Sequence, residues 1–241
     1  MLELINRDYF NTIARPVQIN GLTPFIKDQE SKMTILPKNT PGIEFEYEGT
    51  VIEASPENIS TNGIGGHTTS IEKNGTKISF TEHILSALTG VGIDAATIKL
   101  EDAPQVPAED GSSQSYFNTI KEAGEKRINK PTHEVHVTKI MYFHDGSASS
   151  AILRPSPTAK YSALIQFPEP IGEQYLSVDI NDYEKEITWA RTYIRNSYTE
   201  DLWNDVRKIL PNLPLDVKKS PVLVFKGNRW IIKPKTNDEP V

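Results

Sequence analysis

Residues 79–117, SFTEHILSALTGVGIDAATIKLEDAPQVPAEDGSSQSYF, constrain what this chain can fold into more than any other stretch. A capped helix, a glycine stop, a strand, a proline-bounded acidic loop and a second helix follow one another within it. Ser79 reads as the N-cap and Glu82, three residues on, as the other half of a capping box, because hydroxyl and carboxylate satisfy amide donors that a helix start leaves without partners. Phe80, His83, Ile84, Ala87 and Leu88 recur at helical spacing over 79–89, which turns His83 to the apolar face, and Gly90 reads as the left-handed stop. A histidine in a first helical turn feels the positive end of the helix dipole, which disfavours imidazolium and leaves a ring nitrogen free to bind a metal. Glu82 beside it has the chemistry of a general base. A purely structural alternative stands next to this reading, with Glu82 only a capping carboxylate and His83 a hydrogen-bonded core histidine.

Residues 68–72 and 76–80 flank Asn74-Gly75, the dipeptide best suited to a tight turn because both positions accept positive φ, and this hairpin delivers the chain into the helix. Upstream, 16–22 and 31–36 read as short strands, 43–54 as one alternating strand and 1–15 as an irregular lead-in. Gly65-Gly66-His67 reads as loop geometry, with His67 a minor candidate for a cleft. After the helix, 95–100 is a strand and 101–111 a loop stiffened by Pro104 and Pro107. Asp110 in that loop is a helix N-cap, a carboxylate orienting the far nitrogen of the His83 ring, or both. Residues 112–123 read as a helix with Tyr116, Phe117 and Ile120 inward and Gly124 as its stop.

The polar, proline-containing run 125–132 reads as a linker. Beyond it 133–143, 147–153, 160–167 and 174–180 form a meandering sheet. Residues 183–194 and 199–210 read as helices, and 221–225 with 229–232 as a hairpin. His133 and His136, an odd separation apart on a strand, face opposite ways. With His144 at a turn, they read as structural or surface residues. The bottom-up pattern is α+β, with a first domain over 1–128 and a second over 129–241.

At 241 residues the chain has room for one large domain or two small ones. A net charge of -6 and the lack of any lysine and arginine cluster argue against a nucleic-acid binder that works by neutralising phosphates. No cysteine is present, so disulfides, thiolate metal sites and cysteine nucleophiles are excluded together, and any metal is held by His, Asp or Glu. No basic-then-apolar leader and no apolar run near the ~20 residues of a spanning helix is found, and the expected location is cytoplasmic.

Thr81-Glu82-His83-Ile84-Leu85-Ser86-Ala87-Leu88, then Gly92-Ile93-Asp94, Pro104-Gln105-Val106-Pro107 and Asp110-Gly111-Ser112-Ser113 with Phe117 resemble the signature of the UDP-3-O-acyl-N-acetylglucosamine deacetylases, zinc hydrolases of lipid A synthesis. Ala190-Arg191-Thr192 is similar to a further motif of that family. The resemblance implies two similar α+β domains, each a small mainly antiparallel sheet with helices, the helices sandwiched between the two sheets, and a site at the domain junction. It also implies a Zn2+ cofactor with His83 as a ligand, Glu82 as base, Thr192 stabilising the oxyanion, Asp110 behind the ring, and a UDP-linked acylated glucosamine as substrate. The family's Gly-Leu-His-Ser-Gly-like turn is Gly21-Leu22-Thr23-Pro24-Phe25 here, and its glycine-rich stretch is not reproduced in 213–219. Its remaining metal ligands come from a His-Lys-x-x-Asp segment, and the corresponding run in this sequence is Asp238-Glu239-Pro240-Val241. The expectation is therefore an incomplete second domain in a fragment of a longer deacetylase. The alternative is a short non-catalytic homologue that binds a nucleotide sugar or a partner subunit.

Overall fold

The computed structural model describes residues 1–60, 68–146, 149–169, 171–196, 223–226 and 229–232. The expected helix over 199–210, the stretch 213–219 and His67 lie outside the described residues.

The first fifteen residues are ordered, not irregular: β1 (Leu2–Arg7) and β2 (Phe10–Ile13) come before β3 (Val17–Leu22) and β4 (Glu30–Pro37). The reason is tertiary. Phe10 and Ile13 are fully buried, and Arg7 bridges to Asp94 and to Glu134 (2.8 Å). The single strand expected over 43–54 is a hairpin, β5 (Gly42–Tyr47) and β6 (Thr50–Glu53). Its turn needs two successive positive φ angles, 47° at Glu48 and 79° at Gly49, and only the second falls on a residue that announces it. Then come β7 (Ser70–Lys73) and β8 (Thr76–Ser79), joined at Asn74-Gly75 as expected, helix α1 (Glu82–Val91), β9 (Ala95–Glu101) and helix α2 (Gln114–Ala123).

The expected linker is half strand. β10 (Glu125–Ile128) pairs antiparallel with β2 and closes one edge of a seven-stranded sheet of order β10-β2-β9-β4-β3, to which β5 and β6 attach through β9. Most pairings are antiparallel, and β5 runs parallel to β9. Helices α1 and α2 cover one face. Ile84, Ala87 and Leu88 of α1 and Tyr116, Phe117, Ile120 and Ala123 of α2 meet Met33, Ile35, Phe45 and Ile98 of the sheet in one core. Each of the isoleucines, Leu88, Met33 and the phenylalanines among them contributes about 1.5–3 kcal/mol on burial.

The second half begins with β11 (Thr132–Val137), which pairs with β1. β12 (Met141–His144) and β13 (Ser150–Leu153) form one hairpin, β14 (Lys160–Gln166) and β15 (Glu173–Asp179) another. The expected meander is thus a set of separate two-stranded ribbons among the described residues. Alternating apolar residues specify a strand but not its neighbour, and Tyr142, Tyr161, Leu164 and Tyr175 of these ribbons stay exposed. The helix expected over 183–194 is only α3 (Tyr183–Glu186), preceded by a 3-10 turn over Ile180–Asp182. Ile187, Thr188, Thr192 and Ile194 are β-branched and favour extension. The chain accordingly enters β16 (Tyr193–Asn196), parallel to β17 (Leu223–Lys226), which pairs in turn with β18 (Arg229–Ile232). The fold is α+β.

Gly90 does not stop α1. Gly92 does, at φ 88°, with its amide on the Leu88 and Thr89 carbonyls and the Ile93 amide on Leu88. Gly90 stays inside the helix because the Tyr183 ring occupies the space where a Cβ would lie. Gly90→Ala should therefore destabilise the protein by about 1–3 kcal/mol, although alanine is the better helix former by about 1 kcal/mol. Urea denaturation checks the sign, and a stabilised variant would show that the ring does not pack there.

Candidate active site

The site is built around the junction between β8 and α1. Ser79 is not an N-cap: it ends β8, its hydroxyl accepts from Ser70 Oγ (2.9 Å), and Thr81 occupies the cap position without a side-chain cap bond. The capping box fails because both of its side chains are held by other partners. Ser79 is fastened on both sides, to β7 through the Ser70–Ser79 register and to the proline loop through Ser79 N–Pro104 O and Val106 N–Ser79 O, each 3.1 Å.

Between strand and helix Phe80 takes φ 65°, a left-handed backbone that costs a bulky residue on the order of 1–3 kcal/mol. Its amide donates to Thr68 Oγ1 (2.9 Å), and its ring lies 4.7 Å from the His83 ring and edge-on to Phe25 at 6.1 Å. The amide and hydroxyl of Thr81 both donate to the Thr69 carbonyl at 3.2 Å. One left-handed residue thus turns the chain so that Glu82 and His83 follow at once on the first turn of α1.

The Glu82 carboxylate accepts at Oε2 from Thr68 Oγ1 (3.2 Å) and from the Thr69 amide (3.1 Å). Burial raises its pKa above the ordinary glutamate value, against the lowering effect of its own amide and of these two donors. Partial burial drives the His83 pKa down from 6.5 to about 4, with the nearby Asp110 charge opposing it. The imidazole is therefore neutral near pH 7, as a metal-binding ring must be.

Asp110 lies close enough for its charge to act on His83, but its Oδ1 accepts from Ser112, through the amide (3.0 Å) and the hydroxyl (2.7 Å). Ser113 is the N-cap residue of α2. Thr192 arrives at the same loop, its amide donating to the Gly111 carbonyl (3.3 Å). That approach is secured from behind by the Tyr183 hydroxyl, which donates to Ser113 Oγ (2.9 Å) and lies 2.6 Å from Ser86 Oγ on α1, while Ser113 Oγ donates to the Thr188 carbonyl (3.2 Å). Of the two readings left open for His133, His136 and His144, structural or surface, all three are exposed, and His136 Nε2 contacts Glu134 (3.1 Å).

His83 has the chemistry of one metal ligand. Among the described residues no group of three or more His, Asp or Glu side chains is placed to hold a metal ion, so these residues alone do not make a closed zinc site. Among them, too, no helix is long and apolar enough to cross a membrane.

Thr68 and Thr69 were not picked out as site residues from the sequence. A signal was there: a two-residue Asn-Gly turn sets the hairpin register, and extending it past Ser70–Ser79 brings Thr69 opposite Phe80 and Thr68 opposite Thr81.

Residues 10–241 match the family described as LpxC, UDP-3-O-acyl N-acetylglycosamine deacetylase, and the chain belongs to that family. Proteins named UDP-3-O-acyl-N-acetylglucosamine deacetylase are similar to it in Syntrophus aciditrophicus (39% identical, over 52% of this chain and 40% of that protein) and Aliarcobacter butzleri (34%, over 76% and 61%). Another in Sulfurimonas denitrificans is 32% identical over 77% of this chain and 63% of that protein. The chain thus spans less than two thirds of the length of these relatives.

The His83 shift carries a stability consequence. Below pH 6.5 the unfolded chain takes up a proton that the folded ring refuses, so in metal-free protein stability falls as pH drops from 6.5 towards about 4. The full loss is about 3 kcal/mol. Denaturation of chelator-treated wild type and His83→Gln across this range checks it: the wild type should lose more stability than the variant, and parallel curves would contradict a buried neutral ring.

Proposed function

We propose that this chain contributes Glu82, His83, Asp110 and Thr192 to a zinc-dependent deacetylase that hydrolyses the N-acetyl amide of UDP-3-O-acyl-N-acetylglucosamine in lipid A biosynthesis. The reaction is placed in the cytoplasm, and the chain divides into domains at 1–128 and 129–241. The observation that carries this reading is the pairing, on one helical turn, of a half-buried carboxylate of raised proton affinity with a neutral imidazole, inside a chain that belongs to the deacetylase family.

Glu82 takes the proton of a water molecule whose oxygen attacks the acetyl carbonyl carbon. Burial suits it to this task, because a base works best with a pKa closer to the operating pH than a free glutamate has. The Thr192 hydroxyl donates to the oxyanion that forms. The C–N bond then breaks as the amine nitrogen takes up the proton that Glu82 received from the water, and acetate leaves. His83 presents a neutral ring nitrogen as a metal ligand, and the Asp110 charge raises the basicity of that ring. Zinc, when bound, supplies a Lewis acid that lowers the pKa of water and polarises a carbonyl.

Turnover of the acylated UDP-sugar tests the reading. Glu82→Gln should lower kcat by about 100-fold or more with little change in KM. Thr192→Val should lower it by about 100-fold. Equal kcat in wild type and Glu82→Gln would remove the base assignment. A chain that binds the UDP-sugar without turning it over would favour the non-catalytic homologue.

A further inference from the structure

We infer that Thr68 is a positioning residue for Glu82, aiming the base by holding one carboxylate oxygen and the strand-to-helix turn with a single hydroxyl. The inference deepens the reading of Glu82 as base and rests on it.

The Thr68 hydroxyl sits between two groups that do not otherwise meet. As acceptor it takes the Phe80 amide at 2.9 Å, the N–H of the left-handed residue that turns β8 into α1. As donor it reaches Glu82 Oε2 at 3.2 Å, closer than its alternative acceptor, the Thr69 carbonyl at 3.4 Å. A hydroxyl has one proton and two lone pairs, so both bonds form at once.

The Thr69 amide shares Oε2 at 3.1 Å. Both donors from the segment leading into β7 therefore fall on the same oxygen. Neither of these two donors bonds Oε1, which is left to receive a proton. A carboxylate on an unrestrained side chain would rotate its two oxygens into either role, and holding one fixes the other. Among the described residues no other joins the Phe80 backbone to the Glu82 carboxylate, so Thr68 sets both where α1 starts and where its base points.

Thr68→Val keeps the shape and removes the hydroxyl, Thr68→Ala removes it without adding apolar bulk, and Thr68→Ser restores it. Two readouts are taken on the whole chain: hydrogen exchange of the Phe80 amide, and kcat and KM for the acylated UDP-sugar. The expected result is about tenfold faster exchange at Phe80 in Thr68→Val and Thr68→Ala, the scale of one lost neutral hydrogen bond. A fall in kcat of about tenfold at unchanged KM accompanies it, and Thr68→Ser returns both towards wild type. A merely structural threonine leaves kcat intact in the folded protein. Unchanged exchange at Phe80, or unchanged kcat in a chain whose turnover depends on Glu82, overturns the inference. Where no turnover depends on Glu82, the reading of Glu82 as base fails by itself. Crystals of Thr68→Ala then decide for Thr68: a Glu82 carboxylate rotated off the Thr69 amide supports the inference, and one still in place overturns it.

Discussion

The left-handed backbone at Phe80 is the constraint on which the rest of the site depends. A phenylalanine does not stay at φ 65° unless its neighbours hold it there. Here they do so from both sides: Thr68 and Thr69 just before β7 with Ser70 at its start, and Pro104 to Val106 in the proline loop. Without that clamp Ser79 would be free to cap a helix, and Glu82 would turn back onto the helix end instead of towards Thr68. The strain at one residue converts a strand into a helix with no loop between, so that carboxylate and imidazole emerge from rigid elements on both sides.

The other end of α1 has a second fastening. Tyr183 lays its ring into the space left by Gly90 and its hydroxyl between Ser86 and Ser113, so both helices are gripped by a residue from the second half of the chain. Nine residues later the same segment delivers Thr192 to Gly111, beside Asp110. The geometry of the site thus depends on contacts more than sixty residues apart in sequence. A loosening at Tyr183 is expected to reach the site through Thr192 and the 110–113 loop.

What the sequence made legible was local. The Asn74-Gly75 turn, the two amphipathic helices and the inward face that carries His83 follow from turn chemistry and period, and the order of the motifs pointed to the family. What it hid was tertiary. Gly90 carries the same signal as a stop whether or not a tyrosine packs on it. Ser79 and Glu82 have capping-box spacing, yet Ser70 and Thr68 outcompete the helix end for them. β1 and β2 show no period because their partners, β11, β9 and β10, lie more than eighty residues away. The positive φ of Phe80 has no mark in the sequence at all, since the residue is chosen for its ring and not for its backbone.

The central claim is that the β8–α1 junction presents His83 as a metal-binding ring beside the base. A zinc titration of isotope-labelled, metal-free protein, followed through the ring resonances of its histidines, tests it most directly, because binding is located whatever its strength. The account predicts that His83 responds at the lowest zinc concentration, while the exposed His133, His136 and His144 keep their shifts. Zinc that moves those surface rings and leaves His83 unchanged would contradict it.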